Sequence, residues 1–279
     1  MDTSIRQAVF AGKFYPSDPE QLKLLIESIR RSQKNRFELS LAEQQLIGAI
    51  VPHAGYIYSG YQAIHPYEII KASQQKIDTF VIVNPNHSGQ GTGDYNLSGA
   101  SGWSTPLGII YTDDELVTAL DIEIDNRAHQ NEHAGEVLLP FLTYMVPLPF
   151  RVVLITMNRQ TPAAAAQLAI AIKNAAKITS RKLFLLASSD FSHFETPAKG
   201  YQKDQYVLDE ILALDPAGIY RQVKQHHVTM CGYGPVMTLV EYARITSLKP
   251  QIKLLSRGHS GQVYPSPTVV DYLSLLCYE

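Results

Sequence analysis

Five short, mostly apolar runs constrain this chain more than any other feature: LIGAIV (46–51), DTFVIV (78–83), RVVLIT (151–156), KLFLLA (182–187) and IKLLS (252–256). Polar–apolar alternation is weak in them, as expected of strands buried on both faces of a sheet. Helix-like segments lie between them. Ser17-Asp18-Pro19-Glu20 reads as a capping box with proline in the first turn and opens a helix running to about Ser32. Further helices are expected over 132–145, 163–177, 200–214 and 235–245. Strands alternating with helices predict a mostly parallel central sheet covered on both sides. No linker, repeat or low-complexity block divides residues 1–279, so the reading is a single α/β domain.

That architecture gives the histidines a shared address. In open α/β sheets, ligands bind beyond the carboxyl ends of the strands. LIGAIV runs into PHAGY with His53, DTFVIV into NPNH with His87, and KLFLLA into SSDFSHF with Asp190 and His193. IKLLS runs into RGHSG with His259. Cys231, in MCGYGPV, sits at the expected start of the helix over 235–245, where a helix N-terminus stabilises the thiolate that binds metal. His53, His87 and Cys231 are therefore candidate metal ligands with positions left open for a further ligand. Asp190 and His193 read as an orienting carboxylate and a general base, or as a helix cap.

The segment His129-Gln130-Asn131-Glu132-His133 matches H-x-x-E-H, the spacing of inverted zinc metallopeptidases. On a helix the two histidines would share a face, with Glu132 as general base. The five residues fall at an expected helix start, where that face is not assured. Glu132 and His133 are expected to line the same pocket as the strand-end loops.

Composition excludes several classes. The balance of 24 Lys+Arg against 26 Asp+Glu, net −2, offers no clustered basic face for nucleic acid. No apolar stretch approaches the roughly 20 residues of a membrane helix, and no signal peptide pattern opens the chain. Two cysteines, Cys231 and Cys277, make no disulfide framework, and Cys277 in DYLSLLCYE reads as a buried hydrophobe. A reducing cytoplasm is the expected location.

Taken in order, AGKFYP (11–16), VPHAGYIYSG (51–60), NPNHSG (84–89), WSTPLG (103–108), EHAGEVLLPFL (132–142), SSDFSH (188–193) and CGYGP (231–235) resemble the Memo family across nearly the whole chain. The resemblance implies a three-layer α/β/α domain shared with class III extradiol dioxygenases of the LigB type. It also implies a metal centre, iron (Fe2+) or copper, held by His53, His87 and Cys231, with Asp190 and His193 as a pocket pair. Radical-SAM and AMMECR1-type proteins are the partners it suggests.

The dioxygenases hold Fe(II) with two histidines and a carboxylate. A thiol in third place favours Cu(I), zinc or a redox-active iron, unless Asp190 supplies the carboxylate and Cys231 is its neighbour. Two functions follow. One is a metal-dependent oxidoreductase acting on a small chelating substrate, with His193 as base, His133 as acid or oxygen-positioning group and Tyr56 lining the pocket. The other is a binding protein that captures a metal, a small molecule or a peptide without turnover.

Overall fold

The computed structural model describes residues 4–147 and 149–279. Its elements are β1 (Ile5–Arg6), α1 (Pro19–Gln33), β2 (Leu46–Val51), α2 (Tyr56–Ala72), β3 (Thr79–Pro85), β4 (Tyr95–Leu97), β5 (Gly102–Thr105) and β6 (Gly108–Tyr111). There follow α3 (Asp114–Leu120), α4 (Arg127–Gln130), α5 (Leu139–Met145), β7 (Arg151–Met157), α6 (Pro162–Thr179), β8 (Leu183–Ser188) and β9 (His193–Glu195). The chain ends with α7 (Pro197–Leu212), α8 (Pro216–Gln225), α9 (Tyr233–Thr246), β10 (Gln251–His259) and β11 (Val269–Tyr278).

The large sheet runs in the order β10-β11-β2-β8-β3-β7-β4, and a small one in the order β1-β5-β6. Its centre, β2-β8-β3-β7, is parallel, while β11 and β4 join it antiparallel, so the sheet is mixed toward its edges. Alternate residues of the central strands feed two apolar clusters. Val81, Val83, Val153 and Ile155 pack with α3, α6, α7, α8 and α9. Phe80, Ile82, Val152 and Leu154 pack with α1, α2 and α5. Burial on both faces explains why these strands carry no polar–apolar alternation. Among the described residues, no helix is long and apolar enough to cross a membrane.

Strand register levels the carboxyl rim. Val51 of β2 pairs with Ser188 of β8, and Ala187 pairs with Val83 of β3. The loops bearing His53, Asp190 and His87 therefore leave three adjacent strands at one edge. His259 ends β10 rather than following it in a loop: Gly258 and His259 pair with Tyr272 and Asp271 of β11, which separates that strand from β2.

Two helix expectations also change. The Asp18 side chain caps α1 by accepting from the Gln21 amide at 2.8 Å, while Glu20 turns to Lys23, so the cap is a single aspartate rather than a reciprocal box. The helix expected over 132–145 begins only with a 3-10 turn at Glu136–Leu138 and α5. Gly135 marks the reason. A Cβ there would lie 2.7 Å from Asn84 Oδ1 and 2.8 Å from Leu154, so the chain crosses the tips of β3 and β7 before coiling.

Candidate metal centre

His53, His87 and His133 converge, each offering one ring nitrogen within 4.8 Å of the others'. Their ring centroids are 4.7 to 5.3 Å apart. His53 is buried at 1% exposure, His133 is half-buried, and His87 faces solvent. The group is thus seated in the protein and open on one side. His133, read from sequence as an acid or oxygen-positioning group, stands with the two strand-end histidines.

Hydrogen bonding fixes which nitrogen of two rings is free. Ser188 Oγ gives its proton to the Ala134 carbonyl at 2.7 Å, so it can only accept from His53 Nδ1, also at 2.7 Å. His53 therefore keeps an unprotonated Nε2. Glu132 Oε1 lies 2.9 Å from His87 Nδ1, and an ionised carboxylate only accepts, so His87 donates through Nδ1 and Nε2 is the nitrogen a metal would take. Ligand histidines are oriented in this way by carboxylates and hydroxyls in metalloproteins. Burial works against the charge on Glu132, but the His87 hydrogen bond and charge, the Ala134 amide and His133 together hold its carboxyl down at about 2. Glu132, expected to line the pocket, braces a histidine of the cluster.

Burial also lowers the protonation of the histidines themselves. It pushes His53 well below the ordinary range, with His87 adding to the effect. It brings His133 to about 4, with His53 as the next cause. Both rings are neutral at physiological pH, the form that donates a lone pair to a metal.

Cys231 lies beside the group, its Sγ 3.3 Å from His53 Nε2, the nitrogen left free. An ion roughly 2.1 Å from that nitrogen and 2.3 Å from a sulfur, at an angle of about 90–110°, would hold the two about 3.1–3.6 Å apart. That pair alone is spaced for a shared soft metal, while the group of ligand atoms within 4.8 Å of one another consists of His53, His87 and His133 without Cys231. The expected thiolate stabilisation by α9 is not found: burial, then the Asp190 carboxylate, push the thiol up, and the thiol is protonated until a metal displaces its proton. Cys231 reaches this position because its neighbour is Gly232, where a Cβ would fall 2.2 Å from the Ser188 carbonyl oxygen.

The remaining candidates have other partners. Asp190 is buried, and its Oδ1 accepts from the His53 amide at 2.9 Å, while its own amide points at Cys231 Sγ at 3.3 Å. Its carboxyl is raised above the usual range by burial, against the field of His193. His193 Nδ1 donates to the Thr229 carbonyl at 2.8 Å, which leaves Nε2 as the acceptor, and the His193 amide donates to Thr229 Oγ1 at 2.7 Å. Thr229, rather than Asp190, supplies the hydrogen bonds that orient His193. Tyr56 is core: it is 1% exposed, stacked on Phe141 at 4.3 Å, and its hydroxyl donates to the Val137 carbonyl.

The H-x-x-E-H reading is corrected by the backbone. α4 ends at Gln130, so His129 and His133 share no helical face. His129 is buried away from the group, with Nε2 3.0 Å from the Asn96 carbonyl and Nδ1 3.2 Å from Thr156 Oγ1. Sequence reasoning missed Ser188 and Thr229, whose roles depend on contacts that no spacing announces. Phe14 is a further omission. Its ring stacks on His133 at 4.6 Å.

Comparison with known proteins identifies the family of the chain. The family model described as Memo-like protein matches residues 6–276. A MEMO1 family protein of Methanococcoides burtonii is 36% identical over 98% of this chain and 99% of its own length. One from Sulfolobus acidocaldarius is 37% identical over 97% of this chain and 98% of its own. The solved structure of an uncharacterized protein, JW3007 from Escherichia coli K12, superposes with a TM-score of 0.51 at 12% identity, covering 83% of this chain and 99% of that one, a likeness of fold alone. With a family match over nearly its full length and relatives above one-third identity, the chain belongs to the Memo-like protein family.

Proposed function

We propose that this protein holds one transition-metal ion at His53, His87 and His133, with Cys231 as the neighbouring sulfur donor, and acts on a small chelating substrate at that centre. The observation that carries the reading is the convergence of three histidine nitrogens within 4.8 Å. Iron or copper suits an imidazole and thiol donor set, and zinc is the redox-silent competitor. When bound, the ion supplies Lewis acidity and, as iron or copper, a route for electrons between substrate and O2.

The chain's own residues do the rest. Ser188 and Glu132 orient the imidazoles of His53 and His87. His193, its Nδ1 held by the Thr229 carbonyl, presents Nε2 as the base toward a substrate hydroxyl. Buried Asp190 balances the charge that this transfer creates. Placement at the carboxyl rim of a parallel sheet centre, with helices on both faces, supports descent from a three-layer fold of the LigB type.

Anaerobic purification, elemental analysis and O2 uptake with a panel of catechols test the reading. Stoichiometric metal with substrate-dependent uptake supports the enzyme. Stoichiometric iron with no uptake on any catechol leaves a binding protein for that substrate class. Absence of bound metal after loading contradicts both.

A further inference from the structure

We propose that Asp204 is a positioning residue for His193, which it aims through Ser192, and that the proton it shares with Asp271 switches this hold. The inference rests on the reading of His193 as base. Asp204 lies on α7 and Asp271 on β11, and both are buried, at 0% and 4% exposure. Their side chains hydrogen-bond to each other, and neither Oδ2 has another hydrogen-bond partner among the described residues. Ionised carboxylates only accept, so one of the two carries a proton. That proton stays on the pair to about 8, because burial and then the Asp204 charge raise the Asp271 carboxyl.

The pair grips one residue. Asp204 Oδ1 accepts from the Ser192 amide at 3.1 Å and from its hydroxyl at 2.6 Å. The Asp271 amide donates to the Ser192 carbonyl at 2.9 Å, and the Asp271 carbonyl accepts from the Phe191 amide at 2.9 Å. Every polar group of Ser192 is thus held, one residue before His193. The turn that follows is strained. Phe194 adopts the left-handed region at a φ of 60°, which a bulky side chain holds only where its neighbours impose it. Ser192 is fixed on one side of it, and Glu195 on the other by ion pairs to Lys199 and Lys203. Release of Ser192 lets that turn relax, and His193 with it.

Arg257 of β10 supplies the fixed positive charge beside the pair, and it cannot serve two carboxylates. Its Nη2 stands 3.6 Å from Asp204 Oδ2 and donates to the Tyr201 carbonyl at 2.7 Å, while Nη1 donates to Gln205 at 3.2 Å. His259, opposite Asp271 on β10, is kept neutral by burial, and Tyr272 is kept neutral by burial and then by Asp190. With the proton gone, two buried like charges face each other beside one guanidinium, and they separate. Asp271 also lines a cavity of about 380 Å³ with Tyr201, His259 and Gln262, which gives the proton a route to water. The hold is therefore present below about 8 and lost as pH rises through that value.

The test is the nitrogen-15 pattern of the His193 ring in the full, metal-free chain, followed from about pH 7 to 9.5. In the wild type, the Nδ1–H form bonded to Thr229 should dominate at the lower end and give way to exchanging tautomers with a midpoint at about 8. Asp271→Asn offers Asp204 an amide N–H at every pH, so the step should vanish and the Nδ1–H form persist. Asp204→Ala should show exchanging tautomers throughout. A wild type without the step, a step that survives in Asp271→Asn, or a wild-type pattern in Asp204→Ala overturns the proposal and leaves the base reading standing. If Asp204→Ala does not fold, the Asp271→Asn profile decides alone. Failure of the base reading shows instead as turnover unchanged in His193→Gln, with the nitrogen-15 step of the wild type intact.

Discussion

Glu132 Oε1 stands 2.9 Å from His87 Nδ1, and that one contact decides which nitrogen of His87 faces the other two imidazoles. The carboxylate is nearly inaccessible to water and also takes the Ala134 amide, so its position is not negotiable within the loop. Glu132→Gln keeps the shape and removes the charge. Metal affinity should fall about tenfold to a hundredfold, measured by competition with a chelator of known affinity. An unchanged dissociation constant would show that His87 is not a ligand or is not oriented by Glu132.

Ser188→Ala acts on His53 in the same way. Its hydroxyl is the only hydrogen-bonding partner among the described residues for the buried Nδ1–H of His53. Removing it leaves that donor unsatisfied, at a cost of about 1–3 kcal/mol, or switches the ring to the Nε2–H tautomer that cannot bind metal through Nε2. Nitrogen-15 chemical shifts of the His53 ring in metal-free protein report the switch directly. A ring that stays Nδ1-protonated, in a variant of wild-type stability, contradicts the tautomer assignment.

These positions show what the sequence made legible. β2 was readable to the residue because an unbroken apolar run has no other use at that length. The rim followed from the strands, and with it the neighbourhood of His53, His87 and Asp190. α2 escaped notice because Pro66 interrupts it and burial on nearly all sides leaves no amphipathic period. β11 was read only as an apolar tail, although Cys277 within it is buried as expected. His133 reached the group through the crossing at Gly135, a close approach between residues far apart in the chain that no local pattern encodes.

Gly232 gives a steric prediction. With the Ser188 carbonyl oxygen 2.2 Å and the Ser189 Cβ 2.7 Å from where a methyl would sit, Gly232→Ala must push the Cys231 turn away from β8. Overpacking of this kind costs about 2 kcal/mol, or a Tm lower by roughly 5 °C for a chain this long. Calorimetry checks it. A Tm within error of wild type contradicts the close approach.

Stability of the metal-free protein should peak near neutrality for two opposed reasons. Burial, the first cause in each case, keeps His53, His65, His129 and His133 uncharged in the fold, the last three at about 4. Unfolded, each titrates near roughly 6.5, so between about pH 4 and 6.5 the unfolded chain binds more protons and stability rises with pH. Buried His129 alone contributes about 3 kcal/mol over that window. Asp271 has the other sign: burial, then Asp204, raise it to about 8. Its stabilisation is present at acid pH and is lost as pH rises through that value. Urea titrations at about pH 5, 6.5 and 8 should show the maximum in the middle, and Asp271→Asn should flatten the alkaline side. A stability that climbs steadily to the highest pH contradicts the Asp271 assignment.

Metal content of the reconstituted chain is the most direct measurement. Anaerobic loading followed by elemental analysis should give one iron or copper per wild-type chain. His53→Ala and His87→Ala should each retain almost none, and His133→Ala should retain a reduced amount. Full occupancy in the His53→Ala, His87→Ala double variant, or none in the wild type, would contradict the account at its centre.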